Sequence, residues 1–174
     1  VAVASEIIKS STNMPSLHVE DKKSTSYANG ERKVVRQIEI LEIFKQDNIN
    51  KLKRVYGGGF DLIAISSVRN KLGATPLHVA SRNGSNKILE YLSGFEVNFN
   101  LQDNGGGTLL HAAITGNQVD TVKLLLELGV DSNLKNKQGY TAMDAFLINK
   151  DVLDKEIYSV LTNSDAAISD ELMR

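Results

Sequence analysis

From Val34 onward, apolar residues recur at helical spacing in paired segments separated by short polar turns that carry glycine. VVRQIEILEIFKQDNINKLKRVY predicts two helices broken near Asp47 and Asn48, with Ile49, Leu52 and Val55 on the inward face of the second. In SNKILEYL and QVDTVKLLLEL the apolar positions run round much of the helix, including Val119, Val122, Leu125, Leu126 and Leu128. A helix of that kind must be covered on several sides, so neighbouring helices have to pack against it. AFLINKDVLDKEIYSVL predicts a last helix pair, with Asn149, Lys150, Asp151, Asp154, Lys155 and Glu156 forming a polar outer face. Residues 1–33 are rich in Ser, Thr, Lys and Asn and lack this periodicity. They are expected to form a polar leader or irregular extension, with Ile7, Ile8, Leu17 and Val19 available to dock on the first helix. Gly57 to Gly59 read as a helix stop opening a longer insertion, and 164–174 as a tail.

The paired segments repeat. NKLGATPLHVA from Asn70, DNGGGTLLHAA from Asp103 and NKQGYTAMDAF from Asn136 each begin 33 residues after the last. Their shared columns hold Asn or Asp, then Gly (Gly73, Gly106, Gly139), then Thr (Thr75, Thr108, Thr141), then an apolar residue. A fixed period of this length marks a stacked-repeat architecture. Asn or Asp with Gly three later is turn chemistry, because the short side chain bonds nearby backbone and Gly adopts a backbone angle costly to other residues. Thr is a good N-cap, and Pro76 sits at the first helical position, where its missing N–H costs nothing.

TPLHVA at Thr75 to Ala80 closely resembles the ankyrin-repeat signature, TLLHAA at Thr108 departs by one residue, and TAMDAF at Thr141 replaces His with Asp. The resemblance covers Asn70 to Asp144 strongly and fades on both sides. It implies an all-α ankyrin-repeat solenoid of stacked helix-turn-helix units with β-hairpin-like finger turns. The expected domain is 34–163, about four repeats, with 70–144 near consensus.

Three consecutive glycines at Gly105 to Gly107 also invite a phosphate-cradling reading. Gly106, however, belongs to the turn column, whereas Gly105 and Gly107 occupy columns filled by Leu72 and Gln138 and by Ala74 and Tyr140. No Lys follows as a P-loop needs. His78, His111 and Asp144 share one column, yet equivalent places in stacked repeats lie about 8 to 10 Å apart. Metal ligands lie about 2 Å from one zinc, so no metal site is expected. Each His is assigned instead to its local Thr or a neighbouring loop. No nucleophile elbow, zinc-protease motif or dinucleotide fingerprint is present, so neither catalysis nor a cofactor is expected.

Composition narrows the picture further. Twenty Lys and Arg against twenty-one Asp and Glu give a net charge of −1, so no bulk charge favours nucleic acid or an anionic membrane. No run approaches the ~18 apolar residues of a membrane span. The absence of cysteine removes disulfides and thiolate chemistry and fits a reducing compartment. The expectation is a soluble intracellular protein, cytoplasmic or nuclear, or a bacterial effector delivered into a host, and a monomer when alone. The chain begins with Val, so the lack of a targeting segment carries little weight.

The resemblance implies a protein-binding module whose partner lies across fingers and inner helices, as an adaptor, inhibitor or effector. The alternative is a targeting or regulatory region of a larger enzyme, channel or signalling protein. Carried over column by column, the partner-binding places are Arg69, Lys71, Leu72, Ala74, Arg82, Asn83, Gln102, Asn104, Thr115, Lys135, Lys137, Gln138 and Tyr140. Gly105, Gly107, Gly116, Ile148 and Asn149 fall on the same surface. Five of these residues are basic and none acidic, which points to a partner with an acidic or phosphorylated segment held near Leu72 and Tyr140. Asn133 resembles the asparagine hydroxylated in many eukaryotic ankyrin repeats. Its structural reading, with the amide bonding backbone of an adjacent turn as for Asn100, is preferred.

Overall fold

The structure, a computed structural model, describes residues 29–56 and 67–172. The expectations for Ile7, Ile8, Leu17, Val19 and the Gly57 to Gly59 insertion lie outside these residues. Eight helices are present among them: α1 (Asn29–Lys45), α2 (Ile49–Tyr56), α3 (Pro76–Asn83), α4 (Asn86–Ser93), α5 (Leu109–Thr115), α6 (Val119–Glu127), α7 (Ala142–Ile148) and α8 (Lys155–Leu172). They form two layers, with α1, α3, α5 and α7 side by side in one and α2, α4, α6 and α8 in the other. No strand is assigned among the described residues.

The layers meet over a continuous apolar core. Ile40, Ile43, Phe44 and Leu52 at one end join Leu77, Ile88, Leu89 and Leu92, then Leu109, Leu110, Ile114, Val122 and Leu125, then Phe146, Ile157 and Leu161. Burying each large side chain contributes about 1.5–3 kcal/mol. No pair of helices could bury such a set alone, so the stack is the unit of stability.

The first three inner helices each turn sharply into the outer partner at a residue in the left-handed region: Asp47 (φ 51°), Gly84 (φ 74°) and Asn117 (φ 55°). Two of these residues also tie repeats together. The Asp47 carboxylate accepts the Ile88 N–H at 2.9 Å and the Lys87 N–H at 3.3 Å, at the start of α4. Asn117 Oδ1 accepts the Asp154 N–H at 2.7 Å, just ahead of α8.

The ends differ from expectation in detail. α1 begins at Asn29 and so includes the end of the leader assigned to 1–33, while α8 runs on to Leu172 through the segment read as a tail. Leu52 is fully buried and Ile49 packs against the core, but Val55 is 45% exposed, because one turn of inward face is all that α4 covers. The polar outer face of the last pair is exposed as anticipated, yet Leu147 and Val152 are exposed with it. Leu147 stands in the column of Ile114, which is buried at the interface with α7; no described element covers Leu147 in the same way.

Candidate functional site

Three fingers precede α3, α5 and α7, built on one plan. In the first, Asn70 N–H donates to Ala74 O at 3.0 Å and Gly73 N–H to Asn70 O at 2.9 Å. Asn70 Oδ1 accepts the N–H groups of Leu72 and Ala74 at 2.9 and 3.0 Å. Asp103 Oδ1 does the same for Gly105 and Gly107, and Asn136 Oδ1 for Gln138 and Tyr140. The glycine column is left-handed throughout, at φ 72° for Gly73, 74° for Gly106 and 84° for Gly139. These are the tight turns the spacing predicts, in the hairpin-like form the resemblance implies.

Adjacent fingers are joined edge to edge. Asn104 N–H donates to Leu72 O at 3.2 Å, and Lys137 N–H to Gly105 O at 2.8 Å. Side chains add a second row of links. Arg69 Nη1 donates to Gly73 O and to Gln102 O, 33 residues on, and Gln102 Nε2 donates to Gly106 O and to Lys135 O. Arg69 and Gln102, read from sequence as partner-facing, therefore also staple the fingers, a role only the juxtaposition of repeats reveals.

Each finger delivers the chain into a capped helix. Thr75 and Thr108 Oγ1 accept the N–H of His78 and His111, and each threonine Oγ1 lies 2.8 Å from its histidine Nδ1. His78 Nε2 lies 2.9 Å from Gly107 O, and His111 Nε2 lies 3.0 Å from Tyr140 O. A carbonyl only accepts, so Nε2 carries the proton and Nδ1 accepts from threonine. Each imidazole thus joins its own cap to the next finger, and the shared column is a structural ladder. In the last repeat Asp144 Oδ2 accepts the Thr141 N–H and hydroxyl at 2.9 and 2.8 Å, completing the cap alone. Among the described residues no cluster of His, Cys, Asp or Glu is arranged to hold a metal.

Burial holds the His78 imidazole below its ordinary value of 6.5, and the bonds from Thr141 hold the Asp144 carboxyl below its usual 3.8. For both groups the unfolded chain takes up its proton first as pH falls. The His78 contribution is complete above about pH 6.5 and declines below it; that of Asp144 is complete above about pH 3.8 and declines below that. Urea unfolding at pH 7 and pH 5 is expected to show lower stability at pH 5, with a smaller difference in His78→Gln. An unchanged difference would remove His78 as its source.

Fingers and inner helices together wall a groove of about 740 Å³. Leu72, Ala74, Arg82, Gly105, Gly107, Thr115, Lys137, Gln138, Tyr140, Ile148 and Asn149 line it, with the edges of His78 and His111. Leu72 is 70% exposed, Ile148 60% and Tyr140 41%, so three exposed large apolar side chains share this one groove. Lys71, Asn83 and Asn104 are exposed beside it, as are Arg69, Gln102 and Lys135. The sequence reading found no acid on this surface, but Asp103 lines the groove, having been read as turn chemistry alone. Gly116 is a close-approach residue, because a Cβ there would overlap the Arg82 carbonyl oxygen.

Asn100 Oδ1 accepts the Asp131 N–H at 2.8 Å, the cross-turn bond expected of it. Asn133 is exposed, and the chain 31 residues beyond it lies within α8 rather than in another turn. The Asn100 type of bond is therefore not reproduced there by a following turn.

Comparison with known proteins agrees with this architecture. A family model described as ankyrin repeats in three copies matches residues 43–136, more than half of the chain. The chain is 30% identical over 130 residues to an ankyrin repeat and SAM domain-containing protein 6 from Rattus norvegicus, covering 74% of this chain and 14% of that protein. It is 37% identical over 92 residues to protein phosphatase 1 regulatory subunit 12A of Mus musculus, covering 51% of this chain and 9% of that protein. A putative ankyrin repeat protein of Rickettsia felis is 37% identical over 99 residues, covering 53% of this chain and 43% of that protein. The chain thus spans less than half the length of each of these relatives. Among the described residues no helix is long and apolar enough to cross a membrane.

Proposed function

The chain belongs to the ankyrin-repeat family, whose members generally mediate protein–protein interaction, and from that premise we propose that it binds a partner protein in its concave groove. The observation that carries this reading is the groove itself, in which exposed Leu72, Tyr140 and Ile148 stand among Arg82 and Lys137. Apolar side chains are grouped in water there between polar and basic ones, the arrangement of anchor sites in interfaces. The partner presents an acidic or phosphorylated segment, steered by Arg82 and Lys137 and by Lys71 and Lys135 beside them. The chain works as an adaptor, inhibitor or effector, by occupancy rather than catalysis, as a monomer inside a cell. Asn133, exposed beyond the last cross-turn bond, is the place open to hydroxylation.

A second reading makes this chain the targeting or regulatory region of a larger protein. It is favoured by the small share, 9% and 14%, that the matching segment occupies in the regulatory subunit and the SAM-domain relative.

Affinity capture comparing the wild type with a folded Lys71→Glu, Arg82→Glu, Lys137→Glu variant tests the site. The variant is expected to weaken a captured partner by at least about tenfold at low salt, and the wild-type complex to weaken as salt shortens the screening length. Equal retention by both proteins, indifferent to salt, would move the interaction off the groove.

A further inference from the structure

The three fingers are alike in backbone and unlike in what they present to the groove. In each, Oδ1 of the Asn or Asp column is taken up by two backbone N–H groups of its own turn. The second atom of that side chain is left over. In Asn70 and Asn136 it is an amide nitrogen, a donor; in Asp103 it is a carboxylate oxygen, an acceptor carrying charge. No hydrogen bond of the described residues ends on Asp103 Oδ2 or on those two amide nitrogens, and all three residues line the groove.

The middle finger is also bare at its two groove-lining places beyond Asp103. Where the outer fingers carry Leu72 and Ala74 or Gln138 and Tyr140, it carries Gly105 and Gly107, and Asp103 lies directly under them. A Cβ on Gly107 would come 3.1 Å from Asp103 Oδ2, and one on Gly105 would come 3.3 Å from Oδ1. A notch with one negative charge at its base therefore opens between the side chains of the flanking fingers. The cations of the groove, Arg82 and Lys137, leave this oxygen without an ion pair.

We propose that Asp103 is a specificity residue of the groove: it receives a Lys or Arg side chain that enters the notch over Gly105 and Gly107 from an extended partner segment. Acidic residues on either side of that cation reach Arg82 and Lys137. A long basic side chain fits because the notch lacks side chains of its own, and a charge-assisted bond to Oδ2 leaves the turn bonds on Oδ1 intact. The partner's charge order is acid, base, acid, so a uniformly acidic segment places a like charge against Asp103 and is rejected. This inference rests on the concave-groove reading and sharpens it.

The column supplies its own control. Asn70 and Asn136 make the same turn that Asp103 makes, so Asp103→Asn removes the charge and keeps the finger. Gly105→Leu fills the notch with the side chain already tolerated at Leu72. A displayed library of random twelve-residue peptides, panned in parallel on the wild type, on Asp103→Asn, on Gly105→Leu and on Arg82→Glu, Lys137→Glu, reads the preference directly. Wild type is expected to enrich peptides with Lys or Arg at one fixed place between acidic residues. Asp103→Asn and Gly105→Leu should lose the basic preference at least tenfold and keep the acidic one. If Asp103→Asn enriches the same basic residue as wild type, the notch assignment is overturned and the groove reading stands. If the double charge reversal enriches the same peptides as wild type, or wild type enriches none, both are overturned.

Discussion

Gly106→Val is expected to lower the unfolding free energy by about 4 kcal/mol, the largest effect of any finger substitution. Two causes add. Gly106 sits at φ 74°, where a β-branched residue costs about 1–3 kcal/mol of backbone strain. Its Cβ would also come 2.8 Å from Lys137 N and 3.0 Å from Asn136 Cα, backbone of the next finger that cannot rotate away. Overpacking of that kind costs about 1–3 kcal/mol more. Gly139 separates the causes, because at φ 84° it has nothing within 4 Å of a Cβ, so Gly139→Val should lose about 2 kcal/mol from strain alone. Gly107 has no positive φ, and the atoms nearest a Cβ there, from 3.1 Å, belong to the Asp103 side chain rather than to backbone, so Gly107→Val should lose less than either. Urea unfolding of the three variants reads the order. Equal losses for Gly139→Val and Gly107→Val would remove the turn assignment.

Gly116→Ala is the second large effect, and its sign is informative. Gly116 ends α5 at φ −83°, with no left-handed angle to protect. Helix propensity by itself predicts that alanine stabilises by up to about 1 kcal/mol. Packing predicts the reverse. The added Cβ would fall inside the Arg82 carbonyl oxygen, so α3 and α5 would have to separate along the face that joins the second and third repeats. A loss of about 3 kcal/mol is expected, with hydrogen exchange faster in both helices. A gain in stability would show that the two inner helices are not in contact at this point.

These two glycines mark where the sequence was legible and where it was not. Gly106 was readable because turn chemistry is local: Asp103, Gly106 and Thr108 recur at fixed offsets, and each acts on backbone within a few residues. The same holds for the threonine caps and the helix pairs, and the 33-residue period then makes stacking the way to cover helices apolar nearly all round. Gly116 was grouped with groove-facing residues because its actual neighbour, Arg82 O, comes from another repeat. Two side-chain links between repeats were missed for the same reason. Arg69 and Gln102 read as free surface, although each donates to a carbonyl 33 residues away. The histidines were placed between two alternatives, their own threonine or the next loop, and the structure gives them both. Asp103 was read for its turn chemistry alone; its second oxygen acquires meaning only beside two side-chain-free positions in a groove that three repeats build together.

The central claim is that the inner layer with its fingers, rather than the outer layer, is the partner surface. Hydrogen exchange of the chain alone and with a captured partner tests it most directly. Protection is expected in the fingers at 102–107 and 135–140 and in the last turns of α3 and α5, where Arg82 and Thr115 face the groove. Protection confined to α2, α4, α6 and α8, with those fingers unchanged, would contradict it.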